Sequence, residues 1–129
     1  MIDAIKRAQS LFLGAIMTVS GVIVMYRVEA FKEIGGFNTE VMTEDIDVTW
    51  RLHRNQWKVK YVPKALSYIL VPENLKSLLK QRRRWAVGGV EVLISNLSWV
   101  FKRGEFKHGF LLIEMICSHI WSWFFLIES

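Results

Sequence analysis

Residues 43–54, Thr-Glu-Asp-Ile-Asp-Val-Thr-Trp-Arg-Leu-His-Arg, admit two readings, and the choice decides the fold around them. Ile46, Val48, Trp50 and Leu52 alternate with polar residues, which in isolation predicts a half-buried strand. The ends argue the other way. Thr43 suits an N-cap, Glu44, Asp45 and Asp47 fall in a first turn where the helix dipole favours anions, and Arg51, His53 and Arg54 close the last turn. A helix over about residues 44–55 is therefore predicted.

Upstream, Ile2, Ile5, Ala8, Leu11 and Leu13 recur near helical spacing and predict an amphipathic helix over 2–14. The apolar run from Leu11 to Met25 is interrupted by Gly14, Ser20 and Gly21, so it is expected to end in a buried strand, Val22–Tyr26. Glu29–Ile34 is expected to form a short helix closed by Gly35-Gly36. Downstream, Trp57–Val62 alternates and stops at Pro63, which predicts a second strand. Pro72 precedes a predicted helix over 73–84, with Leu75, Leu78, Leu79 and Trp85 on its apolar side. Gly88-Gly89 is expected to break that helix before Val90–Val100 resumes the pattern. Its mixture of Leu, Trp, Lys and Arg suits an interfacial helix.

The chain has 129 residues, 52% hydrophobic and 13% aromatic, which excludes disorder and allows one ordinary domain. Its apolar content peaks in the 19 residues Gly109–Ile127, interrupted by Glu114 and His119. Such a helix spans roughly 28 Å, close to bilayer thickness, so a transmembrane helix is expected over 107–129; a buried core helix is the alternative. The net charge of +5 collects before it, in Lys80, Arg82–Arg84, Lys102, Arg103 and Lys107. By the positive-inside rule, residues 1–106 then face the cytoplasm. The solitary Cys117 can form no disulfide within the chain, as expected of a reducing compartment.

Two clusters carry chemistry. A carboxylate at the start of a helix is either ordinary helix electrostatics or a general base for an attacking hydroxyl. Asp45-Ile46-Asp47 also fits the loose Asp-x-Asp pattern of a cation site. Gln81-Arg82-Arg83-Arg84-Trp85 is either a solvated or lipid-facing basic patch, or a fork for diphosphate oxygens with an indole for a sugar to stack on. The patch is too short, and the remaining chain too little basic, for nucleic-acid binding. His53 is expected on a solvated helix face, and Glu114 and His119 are candidates to line a path through a membrane.

Thr43-Glu44-Asp45 and Gln81-x-x-Arg84-Trp85, separated by 35 residues, resemble the paired motifs of membrane-embedded, processive family-2 glycosyltransferases, the synthases of cellulose, chitin, hyaluronan and poly-N-acetylglucosamine. Thr18-Val-Ser-Gly-Val-Ile, Phe31-Lys-Glu-Ile-Gly-Gly-Phe, Met42-Thr-Glu-Asp-Ile-Asp and the stretch from Pro72 to Trp85 look most like the bacterial poly-β-1,6-N-acetylglucosamine synthases of biofilm. The resemblance implies an α/β architecture: residues 1–71 as the acceptor-side half of a GT-A, Rossmann-like domain, 72–106 as interfacial helices, and 107–129 as the transmembrane helix. It implies an inverting displacement at a bacterial inner membrane. Asp45 would be the catalytic base, Gln81 and Arg84 the donor-diphosphate ligands, and Trp85, Ser20 and Gly21 the acceptor side, with Thr43 and Glu44 shaping the loop.

The same resemblance places the uridine site and the ligands of a Mg²⁺ or Mn²⁺ ion upstream of anything in this chain, so the chain is expected to hold no metal and not to turn over alone. The implied partners are a UDP-sugar donor, a polysaccharide acceptor, the lipid bilayer and a small membrane subunit, with no nucleic acid. Two other readings stay open: a processive synthase using another sugar, or a non-catalytic membrane-associated binding module.

Overall fold

A computed structural model describes residues 2–104 and 106–127. Among the described residues five helices follow in order: α1, Ile2–Ala8, continued by a π-helical turn over Gln9–Leu13; α2, Val28–Glu33; α3, Glu44–Arg54; α4, Leu75–Arg103; and α5, Phe106–Ile127. Among the described residues no strand forms; the nearest approach is an isolated antiparallel bridge between Ser20 and Ile23. The expected strands at 22–26 and 57–62 are thus corrected to irregular chain, and the α/β expectation is not met within these residues. A strand needs a neighbour to accept its backbone hydrogen bonds, and these two segments do not pair with each other. Val59 is nonetheless buried in the core.

Helix α3 explains its own ambiguous sequence. Two cores flank it. Trp50 packs with Ala15, Val92, Val100, Leu111, Leu112 and Met115, and Ile46 lies against that cluster. Val48 and Leu52 pack with Ile16, Val19, Ala30, Ile34 and Val59. At about 100° per residue, positions two apart in a helix point to nearly opposite sides. A helix buried on both flanks therefore shows the alternation of a strand.

Two glycines at φ 80° and 73°, Gly35 and Gly36, close α2, a backbone region open to glycine at little cost. The Arg51 guanidinium then ties α3 to that turn, donating to the Ile34 carbonyl at 2.6 Å while pairing with Asp47 at 2.7 Å.

Helix α4 starts two residues later than expected, at Leu75, behind the N-cap Asn74, whose side chain accepts from the Ser77 amide at 2.8 Å. It then runs unbroken through Gly88-Gly89 to Gly104. The predicted break is absent: both glycines are buried, and Gly88 is packed against Thr43 at the start of α3. Helix α5 folds back along α4. Leu111, Leu112 and Met115 bury its inner side, and Glu114 accepts from the buried Gln9 at 2.8 Å. No helix among the described residues is long and apolar enough to cross a membrane. The span expected over 107–129 is therefore not shown; Glu128 and Ser129, and the His119 side chain, lie outside the described residues.

His53 corrects another expectation. It is buried, with Nε2 2.8 Å from the Ile16 carbonyl oxygen and its ring 4.9 Å from that of His108. It lies three residues after Trp50, on the same flank of α3, so it faces the first core and not solvent.

Candidate functional site

The acidic string opens α3. Thr43 occupies the N-cap position, and its carbonyl accepts from the Asp47 amide at 3.1 Å. Its hydroxyl does not cap the helix as expected: it is buried without a partner, turned against α4. Glu44 is exposed. Asp45 is half-buried, and its carboxylate is held by two backbone donors, the Gly21 amide at 3.3 Å and its neighbouring Ile46 amide at 2.9 Å. Thr49 steadies the same turn. Its hydroxyl donates to the Asp45 carbonyl at 2.7 Å and accepts from the Val19 amide at 3.0 Å. The Ser20-Gly21 turn is thereby fastened to the start of α3.

Two side chains that the sequence did not single out complete the surroundings of Asp45. Burial raises the Tyr26 phenol above its ordinary value, and the Asp45 and Glu44 carboxylates push it further the same way. Burial lowers the Lys6 ammonium, with Asp45 pulling against it. Tyr26 stands in an aromatic group with Phe31 and Phe37, centroids 5.1 and 6.0 Å away, and its hydroxyl is buried with no partner. The apolar run that suggested a strand hid Tyr26, and Lys6 looked like the polar side of a surface helix.

The basic string lies on α4. Gln81 is half-buried, whereas Arg84 and Trp85 are exposed. Arg82 stacks its guanidinium 4.9 Å from the centre of the Trp85 ring, so one indole face is already covered. Gly88 is where the two strings meet. A Cβ placed on it would lie 2.5 Å from Thr43 Cγ2 and 2.6 Å from Thr43 Oγ1. Gln81, Arg84 and Trp85 precede Gly88 by seven, four and three residues, so all four share one side of the helix. Along the axis they stand roughly 10, 6 and 4.5 Å from the contact. Ser20, Gly21, Thr43, Asp45 and that side of α4 are in this way brought to one region. Glu44 belongs to it by sequence.

Among the described residues no group of three or more His, Cys, Asp or Glu side chains is placed to hold a metal ion. Asp45-x-Asp47 does not fit one either. The Asp47 carboxylate is taken by Arg51, and that of Asp45 by backbone amides. A cation at this place would meet one carboxylate held by backbone amides and one already paired with Arg51, not a free pair.

The acidic string that opens α3 thus meets, through Thr43 and Gly88, the helix that carries the amide, guanidinium and indole of Gln81, Arg84 and Trp85. Residues 3–127 match the family model described as Glycosyl transferase family group 2, and the chain belongs to that family. It is similar to a poly-beta-1,6-N-acetyl-D-glucosamine synthase of Staphylococcus epidermidis, 44% identical over 121 residues, which are 94% of this chain and 29% of that relative. A synthase of the same name from Staphylococcus aureus (strain COL) is 41% identical over 127 residues, 98% of this chain and 31% of the relative. The chain therefore spans about three tenths of the length of the curated relatives it matches. No solved structure matches it.

Proposed function

We propose that this chain forms the acceptor side of a membrane-bound, inverting glycosyltransferase that adds N-acetylglucosamine from UDP-N-acetylglucosamine to a growing β-1,6-linked polysaccharide. Asp45 takes the proton of the acceptor hydroxyl as that oxygen attacks the anomeric carbon and the UDP leaves. Gln81 and Arg84 bind the departing diphosphate, where a planar fork of donors stabilises the charge that builds up. The face of Trp85 not stacked on Arg82 supports the acceptor sugar. Ser20 and Gly21 border the cleft, and Thr43 and Glu44 shape the turn that presents Asp45. In this reading, residues 1–71 belong to a GT-A domain, 72–106 lie at the membrane surface, and 107–129 enter the bilayer. The divalent cation of such an enzyme is held by residues outside this chain.

The observation that carries the reading is the Thr43–Gly88 contact, which sets the Thr43-Glu44-Asp45 end of α3 against the helix that bears Gln81, Arg84 and Trp85. The test is a chimera in which this chain replaces the matching segment of the S. epidermidis synthase. The chimera is expected to make polymer, and Asp45→Asn to abolish it with membrane insertion unchanged, because an amide cannot accept the proton. Equal polymer from the Asn variant would refute the assignment.

A further inference from the structure

The geometry points to Gly88 as a positioning residue, one that sets the separation between the diphosphate-binding side of α4 and the base at the start of α3. The inference rests on the proposed transfer site and adds a residue that lies outside both motif strings.

Three observations converge on it. First, Gly88 lies inside a continuous 29-residue helix, where glycine costs about 1 kcal/mol relative to alanine. It serves no turn there, so its presence needs another cause. Second, that cause is proximity: a Cβ would stand 2.5, 2.6 and 3.0 Å from the Cγ2, Oγ1 and Cβ atoms of Thr43. Ordinary contact begins near 3.4 Å, so an alanine would force the two helices apart by about 1 Å or turn Thr43 away. Thr43 is 3% exposed and has little room to turn. Third, Gln81, Arg84 and Trp85 sit on the same side of α4 within two helical turns, so any retreat of the helix at Gly88 carries them with it. By contrast, a Cβ on Gly21 would meet Asp45 Oδ2 at 3.5 Å, an ordinary distance. Close approach is thus a property of Gly88, not of every glycine near the site.

A displacement of about 1 Å between reacting groups can lower a rate on the order of a hundredfold. In the chimeric synthase, Gly88→Ala is expected to lower kcat per folded molecule at least tenfold, with a much smaller change in the KM for UDP-N-acetylglucosamine. Combining it with Thr43→Ala removes the Cγ2 and Oγ1 clashes. The cost of alanine at 88 is then expected to shrink severalfold when measured against Thr43→Ala alone. Wild-type kcat in Gly88→Ala, or an equal penalty in both backgrounds, would overturn the inference. So would loss of folded enzyme with normal kcat in the remainder, which would make the glycine purely structural. Asp45→Asn separates the two levels of argument. If it stays active, the site assignment fails; if it is dead while Gly88→Ala works normally, only the positioning role fails.

Discussion

Tyr26 and Lys6 make opposite demands near the same carboxylate. The Tyr26 phenol is raised by burial and then by Asp45 and Glu44, so the folded chain holds its proton more tightly than the unfolded chain. The stability it contributes is complete below its ordinary value of 10.0 and is lost as pH climbs past that value toward the folded one. Lys6 runs the other way. Burial lowers it below 10.5, so its charged form opposes folding at neutral pH and the penalty fades as pH rises through its folded value. Tyr26→Phe removes a buried hydroxyl that has no partner and is expected to leave stability at pH 7 unchanged or higher, while flattening the alkaline decline. Lys6→Met is expected to raise the thermal midpoint at pH 7. Thermal melts from pH 7 to 11 check both, and a destabilised Tyr26→Phe would reveal a bond to the phenol that this fold does not provide.

At the scale of elements, the helix at 2–13 was legible from its apolar spacing, that at 28–33 from its closing glycines, and that at 44–54 from the charges at its two ends, against a strand-like alternation. The strands were not. Trp57–Val62 alternates as a strand should, but period and β-propensity describe a surface, and a partner ladder must come from elsewhere. The glycine pair at 88–89 misled for a related reason, since a helix break and a close helix contact use the same residue. Sequence shows the missing side chain and not what fills its place. Of the proposed site, Asp45, Gln81 and Arg84 stand out in the sequence by residue type and motif, while Tyr26 and Lys6 come to notice only through their burial beside Asp45. The Asn74 cap is the element-level feature most open to measurement. Asn74→Ala leaves the Ser77 amide without its acceptor and is expected to cost about 1 kcal/mol, read as a lower urea midpoint with an unchanged m-value.

For the molecule as a whole, Trp50 is the central support. It is fully buried and shares one cluster with residues of α4 and α5. Trp50→Ala is expected to cost about 3–5 kcal/mol, and urea unfolding followed by circular dichroism should show the helices melting together. Independent melting of α5 would mean that its buried Leu111 and Met115 do not couple it to the rest. The two-sided burial of α3 also limits how the chain can change length. One extra residue between Asp45 and Trp50 would turn everything after it by about 100°, and neither core could accept the rotated set. The irregular stretch 63–73 carries no such register and can be lengthened freely. Scanning insertions should therefore find a rigid ruler running from the Asp45 carboxylate to the central indole, and slack in the chain that leads into α4.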